Sequence, residues 1–449
     1  MVVLKENSDE LRCKYDRQTV SYADLTERYK KEGDSYMKQF ASLYVKRLDE
    51  LSSVLKQKVR EKWGSNVDLI PLSELENQNG KRCVIIGTLY KHQTNKPSIL
   101  QELSEEHQMT APAPKVHYCL EEDQLFLEDQ TSRIKLTGDK VDVKESVTGV
   151  VCAVIGAENK KSTFEVEDWC FPGCLPQKEI SSKPVGKLVI LSGLELATNP
   201  PDLSLSLLVE WISGLAGTTE YQKNEAFIVR VVIAGNSIKA CADQHLSKGL
   251  LSGRAEDAAN ANNMSEGKER LDTLLETLGS NCYVTILPGQ FDVTTLMMPQ
   301  NAMHPGSFPK ARRFKSINGV TNPWIGTISD RIVVGTAGLP IQDIQKVCGL
   351  STVEPIEWLQ RSVEWRHLCP TAPDTIPCIP FCKSDPFILR ECPDIYFAGN
   401  MEKYDTRLYQ GNEGQKIRLI CVPKFANDKT AVLVDLETLD ATPISFGSE

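Results

Sequence analysis

Apolar residues recur at steps of three and four between Tyr36 and Trp63. Met37, Phe40, Tyr44, Leu48, Leu51, Leu55 and Val59 form one stripe, and Gly64 follows as a stop, which predicts one long helix. Lys38, Lys46, Arg47, Asp49, Glu50, Lys56 and Lys58 fall on the opposite, solvent-facing side. One stripe of this kind packs against its own domain; a partner surface is the second reading. From about Asn66 to Pro184 the runs become short and β-like: Arg82–Tyr90, Val116–Leu120, Gln124–Glu128, Arg133–Leu136, Val147–Ala157 and Thr163–Phe171. Asp129-Gln130-Thr131 and Gly138-Asp139 supply turns, and so many strands in so little chain predict a small barrel of the OB type. The stretch Gln101–Lys115 reads as an exposed loop.

From Lys187 onward strands alternate with helical segments, the signature of a layered α/β domain. Leu188–Leu191, Phe227–Ala234, Cys282–Leu287, Arg331–Val334, Ile395–Ala398, Ile417–Val422 and Ala431–Asp435 read as buried strands, and Asp202–Ser213 as a helix stopped by Gly214. The polar stretch Ser247–Glu269 reads as an exposed insertion with a helix after it. The division is a helical N-terminal segment over 1–65, a barrel over 66–184 and an α/β unit over 185–449.

Composition narrows the function classes. With 41% hydrophobic and 25% charged residues over 449 positions, the chain can bury sizeable cores, which excludes wholesale disorder. Its 60 acidic and 51 basic residues give a net charge of -9, the wrong sign for a chain that coats phosphate backbones unaided. No run reaches about 18 consecutive apolar residues, so no membrane span is predicted. Met1–Arg12 carries Lys5, Glu6, Asp9 and Glu10 where a secretory signal would be apolar, so an intracellular protein is expected. The fourteen cysteines are scattered rather than clustered. Cys170 with Cys174, and Cys378 with Cys382, have a spacing that zinc sites use, but no second tight pair follows, and buried free thiols are the favoured reading.

Catalytic signatures are missing. Gly80, Gly186 and Gly267 each precede lysine outside a P-loop frame, and no G-x-S-x-G, H-E-x-x-H or G-x-G-x-x-G occurs. Four predicted strands instead end in small polar turns: Leu191-Ser192-Gly193-Leu194, Ile233-Ala234-Gly235-Asn236, Leu287-Pro288-Gly289-Gln290-Phe291-Asp292 and Phe397-Ala398-Gly399-Asn400-Met401-Glu402. Their order and setting resemble the calcineurin-like metallophosphoesterases, whose strands end in carboxylates and imidazoles that collect two metal ions. The resemblance implies a two-sheet α/β fold, and it places Ser192, Leu194, Asn236, Gln290, Phe291, Asn400 and Glu402 where that family has metal ligands. Only Asp292 keeps an acidic group there, and His367 corresponds to one more family histidine. A lone histidine is also ordinary hydrogen-bonded structure. Two divalent cations about 4 Å apart need several anionic or imidazole ligands, so the implied site is dead.

A barrel followed by an inactivated phosphoesterase is similar to the B-type accessory chains of replicative DNA polymerases. The runs Arg366-His367-Leu368-Cys369-Pro370-Thr371-Ala372-Pro373-Asp374-Thr375, Ser384-Asp385-Pro386-Phe387-Ile388 and Glu391-Cys392-Pro393-Asp394-Ile395-Tyr396-Phe397 resemble the delta-type small subunits in particular. Leu287–Asp292, Met303-His304-Pro305 and Val320-Thr321-Asn322-Pro323 add to this, and the likeness covers roughly residues 20 to 446. It implies a nuclear, non-catalytic scaffold in DNA replication and repair. Such a subunit grips the C-terminal cysteine-rich region of a catalytic subunit, carries a further accessory subunit and meets DNA only through the complex. In that family metal or an iron–sulfur cluster sits on the catalytic chain, so no cofactor is expected here. Two other readings stand beside it. One is an active metal-dependent phosphodiesterase or nuclease. The other, disfavoured by the net charge, is a single-strand binder using Tyr90, Tyr118, Phe126 and Trp169 on the barrel, with an inert second domain. The basic cluster Lys310, Arg312, Arg313 and Lys315 invites a DNA contact, but a solvated loop or a contact to an acidic partner is at least as good a reading.

Overall fold

The computed structural model describes residues 15–30, 39–78, 80–96, 116–239 and 254–447. The first helix, α1, spans Ala41–Trp63, and Gly64 ends it with a φ of 92°. Its buried face is Leu43, Arg47, Leu51, Leu55 and Val59, a strict i, i+4 row. Arg47, assigned from sequence to the charged face, is therefore on the packed one, while Phe40 is exposed. The reason is a buried acceptor, Asp385, described below.

Five strands close into a barrel: β2 (Cys83–His92), β3 (Gln124–Glu128), β4 (Arg133–Thr137), β5 (Val151–Glu158) and β6 (Thr163–Cys170). Their order is β2-β3-β4-β6-β5, with β5 returning to pair with β2 and β4 running parallel to β6. Val84, Val151, Ala153 and Ile155 face outward onto Leu51, Leu55 and Val59 of α1. Alternate residues, Cys83, Ile85, Cys152 and Val154, fill the interior, as a period of two requires. Val116–Leu120, predicted as a strand, is a loop whose Tyr118 N–H donates to Lys346 O at 2.9 Å. Packing against the α/β unit replaces strand pairing there. Residues 101–115 lie outside the described residues.

The rest of the chain builds two facing six-stranded sheets. One has the order β10-β9-β8-β7-β16-β17, from β7 (Lys187–Leu191), β8 (Ile228–Ala234), β9 (Tyr283–Leu287), β10 (Ile317–Gly319), β16 (Thr430–Asp435) and β17 (Ala441–Ser445). The other is β1-β11-β12-β13-β15-β14, from β1 (Tyr22–Asp24), β11 (Trp324–Ile328), β12 (Arg331–Thr336), β13 (Ile395–Met401), β14 (Asp405–Gln410) and β15 (Lys416–Pro423). Leu188, Ile190 and Val232 meet Val333, Ile395, Phe397 and Ile420 between the sheets. Their alternates point outward to helices. Val189, Leu191, Val231 and Ile233 pack on α2 (Leu203–Ile212) and α4 (Arg254–Asn281), α3 (Thr219–Glu225) lying between these two in sequence. Val334, Tyr396 and Ala398 pack on α5 (Leu339–Val347) and α6 (Pro355–Glu364). Asp202 caps α2 by accepting from Leu205 N–H at 3.0 Å. Helix α4 begins at Arg254, inside the stretch predicted as a loop-like insertion.

Two departures matter for the site. The segment assigned as helical over 1–65 is extended over Tyr22–Asp24, where it pairs antiparallel with β11 as an edge strand. Arg17 anchors it by donating to Ile212 O at 2.5 Å and Ile228 O at 2.7 Å. The barrel and the two-sheet unit also share one apolar core, in which Leu125 and Leu136 join Ile341, Ile344 and Trp358. Lys91, fully buried on β2, donates to Val347 O at 3.0 Å at the carbonyl end of α5, where a cation is favoured.

The shared core predicts coupled unfolding. Chemical denaturation followed by barrel and sandwich probes should give coincident transitions; two resolved transitions in the wild-type chain would show that the units unfold independently.

Candidate functional site

The turns after β7, β8 and β9 meet the last residues of β13, Gly399 and Asn400, at the carboxyl edge of the two sheets. Gly193 N–H donates to Gly235 O at 2.9 Å, and Glu195 N–H to Asn236 O at 3.0 Å. Backbones approach so closely that a Cβ on Gly289 would stand 2.3 Å from Asn236 Oδ1. One on Gly399 would stand 2.7 Å from Ala234 O and 3.0 Å from Ser192 Cβ. Glycine is required at both positions. Asn236 and Asn400 adopt left-handed φ values of 49° and 56°, which asparagine tolerates better than most residues.

The structure gathers Ser192, Asn236, Gln290, Phe291, Asp292 and Asn400 in this junction, where the protein's own backbone engages most of their polar groups. Ser192 Oγ donates toward Val422 O and Pro423 O, and accepts from Asn400 N–H at 2.8 Å. Asn400 Nδ2 donates to Ala234 O at 3.0 Å and Ala337 O at 2.9 Å, while its Oδ1 has no partner among the described residues. Asn236 Oδ1 accepts from Phe291 N–H at 3.2 Å. Asp292 accepts from Ile238 N–H at 2.8 Å and Gly289 N–H at 2.9 Å, tying two turns together. Burial pushes its carboxyl above the usual value, against the backbone N–H groups that stabilise the charged form. Gln290 and Phe291 are half-buried, and the Lys239 ammonium lies 5.2 Å from the Phe291 ring centre while pairing with Glu195 at 3.1 Å.

Three of the sequence candidates do not join this cluster. Leu194 packs into the apolar layer under α2 and α4. Glu402 is exposed on the turn after β13. His367 makes its hydrogen bonds elsewhere: its Nε2 meets Asp385 Oδ2 at 2.9 Å, and its Nδ1 accepts from Cys369 N–H at 3.2 Å. Among the described residues, no three His, Cys, Asp or Glu side chains are grouped as a metal site would need.

That second network is one the sequence reading missed. Asp385 Oδ2 also accepts from Arg47 Nε at 2.7 Å, and both side chains are fully buried. Three further guanidinium N–H groups donate to Gly149 O, Pro370 O and Ala372 O at 3.1, 2.9 and 2.7 Å. Arg47 thus joins α1, the barrel and the proline-rich loop of the α/β unit. Position i±4 from Leu43 and Leu51 was the available signal that Arg47 faces inward. Burial would raise the Asp385 carboxyl, yet Arg47 and His367 hold it well below the usual range. Burial and the Arg47 charge pull His367 down from 6.5 to about 4. A neutral ring with its proton on Nε2 satisfies both of its hydrogen bonds.

The barrel aromatics also separate. Tyr90 and Phe126 are neighbours under Arg133, whose guanidinium lies 4.4 Å and 5.6 Å from their ring centres. Trp169 instead stacks on Phe171 and donates to Lys140 O, and Tyr118 packs toward the shared core. The four do not form one platform for stacked bases. In the basic cluster, Lys310 Nζ donates to Thr273 Oγ1, while Arg312, Arg313 and Lys315 are exposed.

Residues 39–169 match a family described as the DNA polymerase delta subunit OB-fold domain, and residues 188–406 match the B-type subunits of DNA polymerases alpha and epsilon. The chain is 37% identical over 432 residues to DNA polymerase delta subunit 2 of Drosophila melanogaster, covering 96% of this chain and 98% of that protein. The chain belongs to the DNA polymerase delta small-subunit family. It is also 35% identical to the rice (Oryza sativa subsp. japonica) DNA polymerase delta small subunit, over 96% of this chain and 99% of that one. Identity to the Saccharomyces cerevisiae small subunit is 27%, over 93% of this chain and 91% of that one. As a delta-type small subunit the chain is a B-type accessory protein with an OB-fold barrel and a mixed α/β remainder. No helix among the described residues is long and apolar enough to cross a membrane.

Because His367 is buried neutral, its unfolded form gains a proton first as pH falls. The stabilising preference is complete above about 6.5 and is lost as pH drops toward about 4. Stability measured by urea unfolding should decline across that window, and His367→Gln should flatten the decline. An equal slope in wild type and variant would remove His367 as its source.

Proposed function

We propose that this chain is the non-catalytic scaffold of a delta-type DNA polymerase complex, acting in the nucleus in replication and repair synthesis. Its two-sheet unit is a calcineurin-like phosphoesterase whose metal-ligand positions have been replaced. The carrying observation is the strand-end junction: where ligands to two cations would converge, Ser192, Asn236 and Asn400 bond to backbone and Leu194 joins the core. Asp292 is the one carboxylate among the candidates gathered there, and two backbone N–H groups hold it. Such donors do not fit a dinuclear metal centre, because like-charged ions need anionic ligands free to turn toward them. His367, already bonded to Asp385, is not available to help.

In this reading the barrel and the α/β unit, divided near 184 and preceded by residues 1–65, present a rigid surface. That surface receives the C-terminal cysteine-rich region of the catalytic subunit and a further accessory subunit; DNA is met through the complex. The continuous core between the two units supports a scaffold role, since it fixes their relative orientation.

Two outcomes test this. Co-expression with the catalytic subunit's C-terminal region should yield a stable complex and raise Tm, because a partner that binds only the folded chain stabilises it. No complex and an unchanged Tm would defeat the scaffold reading. Separately, Ser192→Asp, Asn236→Asp, Phe291→His and Asn400→His together should lower Tm, as unpaired buried polar groups cost about 1–3 kcal/mol each. Manganese should restore part of that loss, with no effect on the parent. A folded variant indifferent to manganese would defeat the replaced-site reading.

A further inference from the structure

Two thiols meet where the barrel hands over to the sandwich. Cys174 lies in the segment leaving β6, and Cys392 in the turn that enters β13; they are 218 positions apart, yet their sulfur atoms are 3.7 Å apart. Both are fixed from several directions. Gly173 N–H donates to Glu364 O at 2.8 Å, and the Arg366 guanidinium donates to Gly173 O at 2.6 Å and Cys174 O at 3.2 Å. Leu175 O accepts from Gln415 Nε2 at 3.0 Å. On the other side, Asp394 follows Cys392 closely and is held by Arg331 at 2.9 Å, by Ile332 N–H and by Gln177. The sulfurs are neighbours because two anchored backbones bring them together.

The two thiols differ in access and acidity. Cys392 is buried, whereas Cys174 is half-buried and reaches solvent. The Cys392 S–H and the nearby Arg366 charge hold the Cys174 thiol below its usual value. Its contact with Cys174 and its own burial push Cys392 well up. Burial pushes Cys348 and Cys421 up to about 12, so Cys174 is the thiol of this group whose acidity favours first attack on an oxidant.

We propose that Cys174 is a peroxide-reactive thiol and Cys392 its resolving partner, forming a reversible disulfide between the barrel-exit segment and the α/β unit. The Cys174 thiolate attacks one oxygen of a hydroperoxide; the O–O bond breaks, giving a sulfenic acid and releasing hydroxide or alkoxide. The Cys392 sulfur then attacks the Cys174 sulfur, and the sulfenic hydroxyl leaves with the Cys392 proton as water. Two thiols are oxidised by two electrons and one peroxide is reduced. Side-chain rotation must close the present separation to about 2.05 Å, within reach of anchored neighbours. This chemistry is independent of the scaffold role, and either can fail without the other.

The test uses the full chain treated with a small excess of hydrogen peroxide under native conditions, then alkylation and peptide mapping. The expected product is a Cys174–Cys392 linked peptide that dithiothreitol removes, with a Tm rise of about 2 °C or more in the oxidised form. Cys392→Ser should leave Cys174 trapped as a sulfenic acid that dimedone labels, and Cys174→Ser should give neither product. Oxidation at other cysteines without the linked peptide would overturn the proposal. So would no oxidation at all, or a Cys392→Ser variant in which dimedone fails to label Cys174.

Discussion

An arginine with no access to water holds three parts of this molecule in register. Arg47 leaves the middle of α1, pairs with Asp385 and donates three more N–H groups to carbonyls of Gly149 in the barrel and of Pro370 and Ala372 in the sandwich. Burying a charge is costly unless it is paired and hydrogen-bonded, and here four of the five guanidinium N–H groups have an acceptor. The geometry leaves little freedom: moving the helix, the barrel or the proline-rich loop would strand a charge in apolar surroundings. His367 completes the arrangement by giving Asp385 a second donor while staying neutral.

Around that fixed point the apolar packing is continuous. The barrel's interior does not end at its wall but runs on into the layer formed by α5 and α6 against the second sheet. The N-terminal strand β1 extends that same sheet at its edge, so chain that precedes the barrel in sequence belongs to the sandwich in space. Lys91 and Arg331, and the half-buried Arg17, repeat the Arg47 solution on a smaller scale, placing cations on backbone carbonyls between elements.

The strand-end junction obeys a different constraint. In a site that holds ions, polar side chains must be free to turn toward a ligand. Here the turns are drawn together by Gly289 and Gly399 until backbone meets backbone, and Ser192, Asn236 and Asn400 serve as links between strands. These links stiffen the carboxyl edge of the sheets.

Much of this is legible in residue order alone. Short β-like runs mark all five barrel strands, and continuous apolar runs mark the central strands of both sheets, because burial on one or both faces writes itself directly into the sequence. The four polar turns are grouped by the resemblance to the calcineurin-like family rather than by any local pattern, and the structure brings six of the nine named positions together. What the order of residues does not reveal is where long-range partners lie. Val116–Leu120 has strand-like composition but finds its hydrogen bonds on α5, and Tyr22–Asp24 is too short to carry a period yet pairs with a strand about three hundred residues later. His367 reads more readily as hydrogen-bonded structure than as a ligand, but only the fold shows that Asp385 is its partner. Arg47 reads as a surface charge until the pocket of carbonyls is seen around it. Local pattern fixes which faces are apolar; only the tertiary structure decides which buried charge has a partner, because that partner comes from another element hundreds of residues away.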